Sequence, residues 1–195
     1  MTGIDNPLLL DFPDQIETER LIIRAPRPGD GTAANAAIRE SIQELRPWMP
    51  WAQTAPEVEE TEAVFRGGAA RFLKREDFLL TLWRKGNGQF VGGSGLHRID
   101  WSVPCMEIGY WCRTSLAGQG YITEAVNGIT RFAFEHLHAQ RLEIRCDAHN
   151  ARSAAVAKRA GYALEARLHN HMRAADRVGL RDTLIYVAFP DSPSE

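Results

Sequence analysis

LAGQGYITEA, residues 116–125, is the stretch on which the reading of this chain turns. Gly118 and Gly120 bracket one polar residue, Gln119, and an amphipathic run begins at once with Glu124 in its first turn. A bare, bendable backbone at the mouth of a helix is an anion site. Its N–H groups lack intrahelical acceptors, and the helix dipole favours negative charge there. The chemistry to be decided is which phosphate such a loop would hold.

The flanking sequence sets its structural context. MEIGYWC (106–112) reads as a strand, and Gly109 inside it marks a bulge or a close approach of another backbone. After the loop, TEAVNGITRFAFEHLHA (123–139) places Ala125, Ile129, Phe132, Ala133 and Leu137 on one helical face. RLEIRCDA (141–148) reads as a buried strand. NARSAAVAKRAG (150–161) reads as a helix with Asn150 at its start and Gly161 just past its end, and TLIYVAF (183–189) as a final strand. Upstream, FLLTLWRK and QFVGGSGL flank a Gly-Asn-Gly turn, a hairpin signal. Leu21–Arg24 is predicted as a strand ended by Pro26, followed by a helix capped by Asp30. LRPWMPWAQ (45–53) cannot run as one helix through both prolines. Thr54 and Glu57 have capping-box spacing, with Pro56 in the first turn of a helix reaching about Arg75 and weakened by Gly67 and Gly68. The order is β, helices, β-hairpin, β, helix, β, helix, β. It predicts a mixed sheet with helices on both faces and argues against a doubly wound nucleotide fold.

Composition bounds the rest. The chain has 195 residues, 44% of them hydrophobic and 25% charged, with a net charge of −2. It reads as a single domain over 1–195, with an N-terminal extension at 1–16 and a flexible tail at 190–195. No global positive field would draw nucleic acid, and no apolar run approaches the ~20 residues of a membrane span. The start shows neither a basic nor a long apolar leader region. Three cysteines, Cys105, Cys112 and Cys146, without CxxC spacing, are expected to be reduced thiols in a cytoplasmic protein.

Three phosphate loops compete for the glycines. No lysine follows Gly118 or Gly120 as a P-loop requires, and Thr123 stands where a dinucleotide fingerprint needs its third glycine or alanine. The third is the pyrophosphate loop of acyl-CoA enzymes, in which a bulged strand leads directly into a glycine-rich turn and a helix. Here the sequence resembles a family. ETERLIIR, LRPWMPWA, EIGYW, GQGYITEA and RLEIRCDAHNARSAAVAKRAGY, in that order, are similar to the GNAT superfamily of acyl-CoA N-acyltransferases. More narrowly, they resemble its RimJ/RimL-type branch, which acetylates protein N-termini and small amines.

The resemblance implies an α/β (α+β) GNAT fold: a mixed, mostly antiparallel twisted sheet of about six to seven strands, helices on both faces and a splayed acyl-CoA cleft. It implies acetyl-CoA as acyl donor, with succinyl-CoA an alternative, and an amine acceptor that is a protein N-terminus or a small molecule. A homodimer is a further expectation, and the alternative class is a non-catalytic acyl-CoA-binding regulatory domain. The loop departs from the branch at Ala117, where Arg or Gln is usual, and at Ile122, where a small residue is usual; Arg113 is the candidate replacement for the cation.

By the same resemblance, the backbone of Ala117, Gly118, Gln119, Gly120, Tyr121 and Ile122, with Thr123, holds the pyrophosphate. The strand Glu107, Ile108, Gly109, Tyr110, Trp111 pairs with pantetheine and polarises the thioester. Glu107 is the candidate base for the amine, or a solvent-facing glutamate on a sheet edge. Glu124 is already explained by the helix dipole. Ala157 stands where much of the superfamily has a tyrosine acid, so Ser153 takes the role of protonating the thiolate and Asn150 that of holding pantetheine; ordinary helix capping is the other reading of that pair. Cys146 lies near the site by the same pattern, or simply packs. Lys158 and Arg159 either meet the 3′-phosphate or form a solvated face. Trp48, Met49 and Trp51 either line the acceptor pocket or form a plug or dimer contact. With succinyl-CoA as donor, Arg39, Arg46 or Arg84 is the candidate cation for the extra carboxylate. The HxH pairs His136/His138 and His169/His171 have no third ligand at matching spacing, and no metal is expected.

Overall fold

The computed structural model of the protein describes residues 3–175 and 178–190. Eight strands form one sheet: β1 (Gln15–Glu17), β2 (Leu21–Arg24), β3 (Phe78–Arg84), β4 (Phe90–Asp100), β5 (Cys105–Cys112), β6 (Arg141–Asp147), β7 (Ala163–Arg173) and β8 (Leu180–Ala188). Their order is β1-β2-β3-β4-β5-β6-β8-β7, and every neighbouring pair is antiparallel except β5–β6. The sheet is thus mixed and mostly antiparallel, as the sequence predicts, but has eight strands rather than six or seven. The missed strands are β1, only three residues long, and β7, an edge strand whose side chains are mostly exposed. β7 lacks the alternation that marks a half-buried strand and is held only by β8. β1 begins inside the segment expected as an extension. Most of the expected tail, residues 191–195, lies outside the described residues.

Four helices cover the two faces: α1 (Asp30–Leu45) and α2 (Val58–Leu73) on one, α3 (Tyr121–His136) and α4 (Ala151–Arg159) on the other. α3 buries Ala125, Val126, Ile129, Phe132 and Ala133, the stripe read from its 3.6-residue period. They pack against Leu21, Ile23, Phe78, Leu80, Leu82, Leu96, Met106 and Ile108, the alternate side chains of β2 to β5. On the other face Ala34, Ala37 and Phe65 meet Phe90, with Trp83 and Trp111 packed beside them.

Two helix starts differ from expectation. α1 is capped by Gly29 at φ 94°, and Asp30 is its first residue. The Asp30 carboxylate accepts from Arg24 Nη1 (2.6 Å) and Arg27 N (2.7 Å), so it ties the helix to β2 rather than capping it. α2 starts three residues later than Thr54 implies, because Glu57 and Glu60 form the capping box. Gly109 carries no bulge. The β4–β5 ladder runs in register from Gly92↔Cys112 to His97↔Glu107 and shifts only beyond His97.

The geometry that matters for function is the β5–β6 pair. Its parallel ladder covers only Cys105↔Arg141, Met106↔Leu142 and Glu107↔Glu143, after which the strands part. The edge of β5 from Ile108 onward therefore has no strand beside it, and α4 rises from the end of β6 across the gap.

Candidate active site

The strand after Glu107 leads into a 3-10 turn, Thr114–Leu116, and then into the glycine loop. Gly118 (φ 76°) and Gly120 (φ 83°) both take the left-handed conformation, which is why glycine stands at each. Gly120 is the N-cap of α3 and offers no side-chain hydrogen bond to it. The N–H of Ala117 closes the 3-10 turn onto Thr114 O (3.1 Å), so Ala117 does not donate to a ligand as expected. The N–H groups of residues 118–123 take no acceptor among the described residues, leaving a concave row of donors at the positive end of a helix.

A strap from the other end of the chain holds this loop. Glu124 accepts from Thr18 Oγ1 (2.6 Å), Arg20 N (2.7 Å) and Arg20 Nε (2.6 Å), and Arg20 Nη1 donates to Gln119 O (3.0 Å). The guanidinium also lies over the Tyr121 ring, 4.5 Å from its centroid. Burial works to raise the Glu124 pKa, but the bonds from Thr18 and Arg20 outweigh it and the net direction is down. Besides sitting in the first turn of α3, Glu124 ties the loop to the strap. Its partners lie more than a hundred residues away, and no local sequence signal marks them.

The loop forms one wall of a cleft of about 1210 Å³. Tyr110, Trp111 and Cys112 of β5, Gly118 to Thr123, and Asn150, Ser153 and Val156 of α4 and its cap line it, together with Trp48 and Met49. Trp51 is outside the lining but meets Trp111 edge-on at 6.1 Å between ring centroids. Ile108 is buried in the core under α3, and neither it nor Gly109 is part of the lining.

Cations come from α4. Arg152 and Arg159 line the cleft, and Arg159 Nε stands 3.4 Å from Thr123 Oγ1. Lys158, named from sequence, is not part of the lining. Nor does Arg113 replace a cation at position 117: its Nε is paired with Glu40 of α1 at 2.6 Å and its side chain turns away from the loop. Arg39 is held by Glu57 (3.0 Å), and neither it nor Arg46 or Arg84 lines the cleft.

Across the gap, the Tyr110 hydroxyl lies 3.0 Å from both Ser153 Oγ and Ser153 O, joining β5 to α4. Ser153 N donates to Asn150 Oδ1 at 3.1 Å, the capping bond expected as the alternative role of that pair; the Ser153 hydroxyl is not consumed by it. Burial holds the Tyr110 phenol far above its ordinary range, so Tyr110 stays neutral and acts as a hydrogen-bond partner. Cys146 is buried beside Ser153; burial raises its thiol pKa and the serine hydrogen bond opposes that. Ala157 is fully buried and supplies no acid.

Glu107 sits where β5 and β6 part, outside the cleft lining. Burial raises its pKa against the pull of Arg98 and Arg145, each 3.5 Å from Oε2, and that oxygen has no hydrogen-bond partner. A buried acceptor left open is costly, which marks this carboxylate as a group to be explained. Of the histidine pairs, His169 faces Asp182 (2.9 Å) and His171 faces Thr183 (3.1 Å) across a register shift, so they do not converge.

The splayed parallel pair and the glycine-bracketed helix N-terminus beside it have the architecture of an acyl-CoA-dependent N-acyltransferase. Residues 20–163 match the acetyltransferase (GNAT) domain, and the chain belongs to that family. It is 28% identical over 171 residues, covering 86% of this chain and 90% of the other, to YdaF of Bacillus subtilis strain 168, whose name places it among the ribosomal N-acetyltransferases. It is 26% identical over 121 residues, 62% of this chain and 66% of the other, to the ribosomal-protein-serine acetyltransferase of Escherichia coli K12. Among solved structures, the microcin C7 self-immunity acetyltransferase MccE in complex with acetyl-CoA and AMP superposes with a TM-score of 0.84 at 20% identity, covering 91% of this chain and 97% of that one. The L7/L12 α-N-protein acetyltransferase RimL in complex with coenzyme A gives 0.82 at 20% identity, covering 91% and 98%.

Proposed function

We propose that this acetyltransferase moves an acetyl group from acetyl-CoA to the α-amino group of a protein N-terminus. The observation that carries the reading is the row of open N–H donors at 118–123, set beside the free edge of β5. The donor row suits the pyrophosphate, with Arg152 and Arg159 adding positive charge, and the β5 edge from Ile108 onward suits the amides of the pantetheine arm. These residues fit the donor without a cation at Ala117. Acetyl-CoA supplies the activated acyl group; the chain binds and orients it, takes a proton from the amine and returns one to the leaving sulfur. Glu107 takes the first proton; the Ser153 hydroxyl, held by Tyr110, passes its proton to the leaving sulfur and is refilled by the second proton that the nitrogen loses as the tetrahedral intermediate collapses.

The acceptor would reach the site beside Trp48 and Met49, and a cleft of about 1210 Å³ has room for a peptide end beside the donor. The relatives named for ribosomal proteins support a protein acceptor. Three free thiols fit a cytoplasmic enzyme, and no helix among the described residues is long and apolar enough to cross a membrane. A homodimer would use apolar surface outside the cleft, where Leu164, Leu180 and Phe189 are exposed. The test is a panel of N-terminal peptides, free amino acids and polyamines, with acetyl-CoA or succinyl-CoA as donor and products read by mass spectrometry. Acetylation confined to peptide α-amines supports the proposal. Preference for a small amine or for succinyl-CoA rejects it, and light scattering on the same sample decides the oligomer.

A further inference from the structure

Directly opposite Glu107 on β4 stands His97. Residues opposed across an antiparallel ladder have Cβ atoms about 4.5–5.5 Å apart and share a face. The His97 ring lies over a floor of two glycines: a Cβ at Gly95 would come within 2.6 Å of its Nε2, and one at Gly109 within 3.4 Å. Gly109 is the β5 residue next above the free-edge Ile108, so the imidazole sits on the strand that offers its edge to the thioester. At its other nitrogen, His97 Nδ1 is 2.6 Å from Asp77 Oδ2 in the turn before β3. That bond fixes the ring and favours the tautomer with a proton on Nδ1 and an open Nε2. Side-chain exposure rises from 19% at Glu107 to 33% at His97, so the histidine lies between a buried carboxylate and water.

We propose that His97, held by Asp77, is the proton exit of the active site. This rests on the reading of Glu107 as the base. The acceptor ammonium N–H breaks and its proton goes to Glu107. His97 forms its ion pair with Asp77 and none with Glu107, so a bridging water carries the proton to His97 Nε2, Asp77 balances the charge on the ring, and the ring releases the proton to solvent, returning Glu107 to the carboxylate for the next turnover. The charged groups around this path are Asp77 and Glu107, facing His97 from the β3 turn and from β5, with Arg98 of β4 and Arg145 and Glu143 of β6 around Glu107. The arrangement explains a histidine that would otherwise be an idle ring on two glycines.

The experiment is His97→Gln and, as a milder second variant, Asp77→Asn, assayed across pH with and without imidazole in the buffer. The expected result is kcat reduced ~100-fold in His97→Gln, the order of a general acid–base contribution, with the KM for acetyl-CoA within about twofold of wild type. Added imidazole restores turnover in His97→Gln but not in Glu107→Gln, and Asp77→Asn lowers kcat by a smaller factor with the same rescue. A His97→Gln enzyme with an unchanged kcat and a superimposable pH profile overturns the proposal while leaving the acyltransfer reading intact. A loss of rate that imidazole does not restore, accompanied by loss of acetyl-CoA binding, shows a structural role and also overturns it. A wild type that binds acetyl-CoA but acylates none of the amines removes the acyltransfer reading and the proton exit together.

Discussion

Replacing Glu124 by Ala removes the strap that fixes the glycine loop. The side chain accepts three hydrogen bonds, from the Thr18 hydroxyl, the Arg20 backbone N–H and the Arg20 guanidinium. Hydrogen bonds to a charged group contribute about 1.5–3 kcal/mol each when shielded from water. The Arg20 side chain is 41% exposed, so the ion pair counts only as a surface pair, at most about 1 kcal/mol. The Thr18 bond is partly shielded and contributes about 1–1.5 kcal/mol, and the exposed Arg20 backbone bond contributes about 0.5–1 kcal/mol. The sum is about 3 kcal/mol of stability, measurable as a shift in urea midpoint at constant slope. Arg20 also loses its anchor for Gln119 O, so acetyl-CoA affinity should fall ~10-fold. Because the folded-state pKa of Glu124 is depressed, this stabilisation is present above the ordinary carboxylate range and is lost as pH falls through and below it. The gap between wild type and variant should therefore close in acid. A variant within about 0.5 kcal/mol of wild type at neutral pH and with unchanged affinity would refute the reasoning.

Ser153→Ala should lower kcat about 10–100-fold with little change in acetyl-CoA affinity, because the lost hydroxyl faces Tyr110 rather than the loop; an unchanged rate at saturating substrate removes its role. Glu107→Gln should abolish the rise of kcat/KM with pH, a rise displaced to higher pH than an ordinary carboxylate gives because burial raises this group's pKa; a superimposable profile rejects Glu107 as base. Ala117→Arg should tighten acetyl-CoA binding ~10-fold by adding the charge-assisted contact that the loop lacks; no gain would mean that Arg152 and Arg159 already satisfy the phosphates.

What was legible in the sequence was whatever a local signal encodes. The two positive-φ glycines, the Asn150 cap, the Gly161 stop and the apolar period of α3 each announce themselves within a few residues. β7 was hidden because an edge strand with polar faces carries neither alternation nor an apolar run. The cap of α1 was misplaced because Asp30 is drawn to Arg24, a partner on another element. The same limit applies to the site. Residues 118–123 could be named, but that Arg113 turns to Glu40, that Arg20 reaches Gln119 and that His97 opposes Glu107 depend on how distant segments pair. Lys158 and Arg159 are adjacent in sequence, and only the phase of α4 against the loop separates the lining residue from its neighbour.

The central claim is that the open donors at 118–123 are an acyl-CoA pyrophosphate site, and calorimetric titration of the purified protein with acetyl-CoA tests it most directly. The account predicts micromolar binding of acetyl-CoA and much weaker binding of free adenine nucleotides, because the β5 edge contributes only when a pantetheine arm is present. No heat with acetyl-CoA, or equal affinity for free nucleotides, would contradict it.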